Sequence, residues 1–87
     1  MSDVESVIMK ALKSGKYYIG SRRTIKALKR GEVRAVVVSK NCPEEILQKI
    51  KGFNVPVLVF DGTNMQLGEF CRKPFSIASM AITGDIE

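Results

Sequence analysis

The chain has 87 residues, 45% hydrophobic and 26% charged, with a net charge of +5 and an isoelectric point near 9.5. That length predicts one domain over residues 1–87 with a modest core, and the basic balance points to an acidic partner such as nucleic acid. With no histidine, and Cys42 and Cys71 as the only cysteines, His-containing zinc sites, four-thiol sites and Ser-His-Asp or Cys-His catalytic arrangements are all excluded.

Val4, Val7, Ile8, Ala11 and Leu12 recur at helical spacing behind Asp3, which is placed to cap a first helix that Gly15 ends. Tyr17-Tyr18-Ile19 reads as a short strand leading to Gly20. Ser21 stands in an N-cap position before a helix over Arg22–Arg30, which Gly31 terminates. The β-branched run within Arg34–Ser39 is the strongest strand signal. Asn41 or Cys42 then precedes Pro43-Glu44-Glu45, a proline and two acids suited to a helix's first turn, and Ile46, Leu47 and Ile50 are expected inward. Val55–Phe60 is a further strand, with Pro56 near its start pointing to an edge or entry position. After an Asp61-Gly62 turn, Thr63 or Asn64 caps a short helix carrying Met65, Leu67, Phe70 and Cys71. Arg72-Lys73-Pro74 is a loop, and Phe75–Thr83 reads as the last strand. This alternation predicts an α/β fold, a three-layer α-β-α sandwich around a four-stranded mixed sheet.

The charge is unevenly placed. Between Lys10 and Lys40 stand ten basic residues and one acid, Glu32, whereas the rest of the chain holds four bases against eight acids. Interspersed charge would serve solubility better than this division does. On the second helix, Arg22, Arg23, Lys26, Lys29 and Arg30 fall within an arc of about 120°, with Ile25 and Leu28 opposite and ready to enter the core. A solvated face explains one basic helix equally well; the regional imbalance favours anion binding. Gly20 lets a ligand approach the backbone closely, and the amides that open the helix suit a phosphate or a base edge. If Gly20 is ordinarily extended, a β-carbon there would leave the fold intact. Arg72 and Lys73 set cations beside the Phe75 ring, a pairing that can hold an unstacked base and its phosphate, although a lone phenylalanine is as readily a core residue. One of Tyr17 and Tyr18 is expected buried, and both cysteines read as small apolar fillers.

The run Gly20-Ser21-Arg22-Arg23-Thr24-Ile25-Lys26-Ala27-Leu28-Lys29-Arg30-Gly31 is similar to a known family, as are the strand Arg34–Ser39 with Lys40-Asn41-Cys42-Pro43, the Val55-Pro56-Val57 segment, and Leu67-Gly68-Glu69-Phe70-Cys71-Arg72-Lys73-Pro74-Phe75. The chain resembles the L-seven-Ae superfamily of kink-turn RNA-binding proteins, and within it the branch of large-subunit ribosomal proteins. The resemblance implies an α-β-α sandwich that grips bent RNA with the start of the second helix and two nearby loops. Carried over by position, Gly20, Arg22, Arg23 and Lys26 fall on the helix's RNA face, Asn41 in the loop after the second strand, and Lys73 and Phe75 in the loop before the last. Guide-RNA-binding members have Asn-Glu where Arg22-Arg23 stands, which favours the ribosomal branch; that branch usually has glycine at the position of Arg72.

The expected role is therefore structural, in the ribosome and the translation it performs. RNA is the partner, ribosomal RNA above all, with other ribosomal proteins as neighbours and a monomer when free. No cofactor, metal or membrane is expected. The apolar runs fall far short of a membrane span and no secretory signal is evident, so a cytoplasmic location with reduced thiols is expected. Competing readings are a guide-RNA particle or translation accessory protein of the same fold, and an enzyme acting on a phosphorylated substrate at the helix terminus. Against the enzyme, Glu44, Glu45, Asp61 and Glu69 sit in helix-start or turn contexts that account for them structurally.

Overall fold

A computed structural model describes residues 4–84. Helix α1 (Val4–Ser14), strand β1 (Tyr17–Ile19), α2 (Ser21–Arg30), β2 (Ala35–Val38), α3 (Glu44–Lys51), β3 (Val57–Val59), α4 (Asn64–Phe70) and β4 (Ser79–Ile82) follow in the expected alternation. The capping role expected of Asp3 lies outside the described residues.

The sheet is mixed, in the order β1-β4-β2-β3. β4 runs antiparallel to both β1 and β2, pairing Tyr18 with Ala81 and Val37 with Met80, while β2 and β3 are parallel, with Val37 opposite Leu58. Because side chains alternate along a strand, β2 sends Val37 to one face and Val36 and Val38 to the other. Val37, Met80 and Ile82 pack with Val7, Ile8 and Ala11 of α1 and Leu67 of α4, together with Cys71 just beyond α4. Val36 and Val38 pack with Leu28 of α2 and Ile50 of α3. Two helices cover each face, which makes the three layers. β3 is shorter than the Val55–Phe60 run because Pro56 can only lead into it; its carbonyl still accepts from Val36 N at 2.9 Å.

α2 lies against β4 through small residues. Thr24 and Ala27 are buried beneath it, and Ser79 and Ala81 are buried in the strand. Leu28 is buried as expected, whereas Ile25 is only half-buried, since the short side chains let the helix sit low over β4 and leave Ile25 at its flank. Gly31, at φ 73°, closes α2 with its amide and that of Glu32 reaching back to Leu28 and Ala27 carbonyls. Thr63 caps α4 with a full capping box, exchanging bonds with Gln66.

Candidate nucleic-acid interface

β1, β2 and β3 end, and β4 begins, at one edge of the sandwich, and α2 starts there. Gly20 makes the turn from β1 into α2 while its amide donates to the Ser79 carbonyl at 3.0 Å. Its backbone, φ 102° and ψ 149°, lies in a region that glycine alone occupies freely. The ordinary extended conformation considered from sequence is thus overturned: a Gly20→Val chain would be strained at the backbone although a β-carbon would meet no protein atom within 4 Å. That empty space is what an approaching ligand would use.

Ser21 departs from its expected role. It is the first residue of the helix rather than its cap, and its hydroxyl pairs with Ser79 Oγ at 3.0 Å. No side chain caps α2, so its opening amides keep free hydrogen-bonding capacity at the positive end of the helix. Arg22, Arg23, Lys26, Lys29 and Arg30 are all exposed, and among the described residues none of them forms an ion pair. Five like charges held unneutralised on one face attract counter-anions.

The loop before β4 forms the opposite wall. α4 ends in a Schellman motif: Arg72 N donates to Glu69 O and Lys73 N to Gly68 O, both at 2.9 Å, with Arg72 at φ 59°. Gly68 is buried, and a β-carbon on it would fall onto the Phe75 carbonyl oxygen, 3.3 Å from Ser76 Cα. The loop's backbone therefore lies directly on α4, and Ile77 N anchors its far end to the Asn64 carbonyl at 2.9 Å. Phe75 is 54% exposed and sits in this loop; the strand predicted from Phe75 begins only at Ser79. Its ring is not a core residue.

Helix start and loop enclose an open groove of about 790 Å³, lined by Tyr17, Gly20, Arg23, Lys73, Pro74 and Phe75 among others. Here the structure brings together a glycine with open space above it, two cations and an exposed aromatic ring. Other expected site residues lie around or away from the groove. Lys26 and Arg30 continue the basic face along α2 with Arg23, while Arg22 and Lys29 are exposed on the same helix. Asn41 braces the framework: its Oδ1 accepts from Ser39 Oγ at 3.0 Å and Asn64 N at 2.8 Å, tying the β2–α3 loop to α4. Arg72 is not gathered with Lys73 and Phe75, but lines a separate depression with Met9, Leu12 and Lys13. Both tyrosines are half-buried, so neither fulfils the expectation of one buried ring. Gly68 and Ser79 were missed as supports of the site; a glycine amid a helical pattern, a mark of close backbone approach, was the signal for the first.

Among the described residues, the remaining polar groups show no catalytic arrangement. Burial raises the Cys71 thiol above its ordinary range against the opposing influence of Lys73, and burial followed by Glu44 raises Cys42. Protonated thiols at neutral pH are poor nucleophiles. Exposed Asp61 pairs with Lys40 and exposed Glu45 with Lys49. Among the described residues no cluster could hold a metal ion, and no helix is long and apolar enough to cross a membrane.

An α-β-α sandwich with an uncapped, cation-rich helix start facing an aromatic loop defines a class of anion-binding modules. The chain belongs to the ribosomal protein L7Ae/L30e/S12e/Gadd45 family, whose profile matches residues 2–86. It is similar to large ribosomal subunit protein eL30 of Archaeoglobus fulgidus, 55% identical over 99% of this chain and 100% of that protein. It is also similar to eL30 of Methanosarcina mazei, 46% identical over 92% of this chain and 78% of that one. Among solved structures, the Giardia lamblia 15.5kD RNA binding protein shares the fold, with a TM-score of 0.75 at 15% identity over 94% of this chain and 72% of that chain.

Proposed function

We propose that this protein is a structural component of the large ribosomal subunit that holds kinked ribosomal RNA in the groove between the start of α2 and the Lys73–Ser76 loop. Its relatives are named as large-subunit proteins, and its family takes in the ribosomal proteins L7Ae, L30e and S12e. The protein is not an enzyme; its work is done in the ribosome, beside other ribosomal proteins in the cytoplasm. One observation carries the assignment of the site: Gly20, Arg23, Lys73 and Phe75 line a single groove although they are far apart in sequence.

Each has a separate task. Arg23, with Arg22, Lys26, Lys29 and Arg30 along the helix, neutralises phosphates and sets affinity. Uncapped amides at residues 21–23 lie where a base edge or phosphate can approach through the space above Gly20. Phe75 offers a face on which an unpaired base stacks, and Lys73 meets the adjoining phosphate. A continuous duplex buries its base faces in its own stack, so only RNA that is bent or opened uses both walls at once.

The test is a binding titration against an RNA with a kinked internal loop and a straight duplex of equal length. Preference for the kinked RNA, with log K falling by about 0.7–0.9 per phosphate contacted for each tenfold rise in salt, is expected. Equal affinity for both RNAs refutes the shape-selective groove.

A further inference from the structure

β1 is an outer strand of the sheet and is bonded to β4 on one side only. In an antiparallel pair, residues that exchange bonds with the partner alternate with residues whose N–H and C=O point away from it. Gly20 N donates to the Ser79 carbonyl and Thr83 N to the Lys16 carbonyl. With Tyr18 opposite Ala81, the residues turned toward β4 are therefore Lys16, Tyr18 and Gly20. The N–H and C=O of Tyr17 and Ile19 point out of the sheet, and among the described residues no donor or acceptor meets them. Both residues line the open groove, which reaches from Gly15 to Gly20 along this edge. From Lys16 to Gly20 the edge is about 13 Å long at the usual rise per residue. Tyr17, Tyr18 and Ile19 carry neither charge nor proline, two of the devices that keep an edge from pairing with another chain.

The two faces of the edge differ. Tyr17 and Ile19 lean on the apolar layer formed with α1 and α4. Tyr18 lies on the other face, where it lines a small basin with Arg23, Lys26 and Arg30. A strand laid antiparallel along β1 would set the residues opposite Tyr17 and Ile19 beside apolar side chains, and the residue between them beside three cations. The complementary sequence alternates apolar and acidic residues. A second copy of this chain does not fit, since it would bring its own Arg23, Lys26 and Arg30, and a net charge of +5, to the same seam. RNA answers the cations but offers no alternating apolar face.

We propose that β1 is a docking edge for an extended, alternately apolar and acidic segment of a partner protein, which joins the sheet as a fifth strand and covers the groove while RNA is absent. Main-chain bonds to Tyr17 and Ile19 hold the segment, and its carboxylates face Arg23, Lys26 and Arg30. RNA that takes the groove displaces it. That displacement rests on the groove being the RNA site; the strand pairing does not.

The probe is a fluorescent, end-capped peptide alternating valine and glutamate, read by anisotropy, and saturable binding is expected. Methylating its valine amides, which face β1, should weaken binding about tenfold, the worth of one or two main-chain hydrogen bonds. Methylating its glutamate amides, which face solvent, should change binding by less than about twofold. Lysine in place of glutamate should abolish it. In hydrogen exchange, the Tyr17 and Ile19 amides should be fast in the free protein and slow with the peptide, while Tyr18, bonded to β4, is slow in both. No binding, equal affinity of the two methylated peptides, or exchange at Tyr17 and Ile19 that the peptide leaves unchanged overturns the docking edge. Protection of these two amides by kinked RNA and not by the peptide overturns it as well, with RNA as the occupant. Failure of the RNA reading is distinct: the peptide binds with the expected methylation pattern, yet kinked RNA does not displace it.

Discussion

Replacing Gly68 with alanine sets two effects of opposite sign against each other. In an exposed helix interior the change would stabilise by about 1 kcal/mol, because alanine loses less backbone freedom on folding. Here the new methyl would fall onto the Phe75 carbonyl oxygen, with Phe75 C at 3.1 Å and Ser76 Cα at 3.3 Å. Backbone atoms cannot rotate aside as a side chain can, so the loop must retreat by about 1 Å or more to restore ordinary contact. Overpacking of this kind costs about 1–3 kcal/mol, and a clash with main chain belongs at the upper end. The net expectation is a loss of about 1–2 kcal/mol, which lowers the melting temperature by about 4–8 °C per kcal/mol in a chain of this size. Urea denaturation followed by intrinsic fluorescence or circular dichroism gives the stability, and anisotropy titration of the kinked RNA gives the affinity. Both should fall, since retreat of the loop carries Phe75 and Lys73 away from Arg23. A Gly68→Ala protein that is as stable as the parent, or one that loses stability yet binds kinked RNA with full affinity, refutes the reasoning.

Other substitutions separate surface, core and backbone contributions. Lys26→Ala should weaken RNA binding while the urea midpoint stays within error, because an exposed lysine adds little to folding; Leu28→Ala should lower stability by about 2–5 kcal/mol. If Lys26→Ala unfolds the chain or Leu28→Ala is harmless, the orientation of α2 is wrong. Thr24 Oγ1 is buried with no hydrogen-bond partner, so Thr24→Val should stabilise by about 1 kcal/mol in the same assay; a loss would mean that the hydroxyl has a partner. Arg72 holds the left-handed conformation at φ 59°, which costs a non-glycine residue about 1–2 kcal/mol. Arg72→Gly relieves this and gives back part of it as unfolded-chain entropy, so a net gain of about 0.5–1 kcal/mol is expected, and a lowered urea midpoint would count against the strain.

The layers, the order of elements and the basic face were legible because each depends on local pattern. Apolar spacing in α1 and the β-branched run Val36-Val37-Val38 indicate helix and strand without knowledge of neighbours. Positions set by distant partners were not legible. Ser21 looks like a cap, but Ser79, 58 residues away, engages its hydroxyl. Phe75 alternates like a strand residue, yet its backbone is held on Gly68 and so cannot pair until Ser79. The left-handed turn at Arg72 follows from the Schellman closure of α4, which the arginine itself does not signal. Around the candidate groove, the grouping of residues was only partly legible: Gly20, Arg23, Lys73 and Phe75 converge, whereas Arg72 turns to the α1 side.

The strand order β1-β4-β2-β3 sets a condition on assembly during synthesis. β4, which comes last of the four, is interior to the sheet and pairs with both β1 and β2. Until residues 79–82 have left the translating ribosome, β1 has no partner, β2 lacks one neighbour, and Gly20 lacks the Ser79 carbonyl that fixes the turn into α2. An incomplete chain therefore carries the basic helix but not the groove, and exposes strand edges open to wrong pairing. On the proposed reading, shape-selective binding needs β4 in place, so a nascent fragment that stops short of residue 79 can be drawn to RNA by charge but has no formed groove in which to hold it.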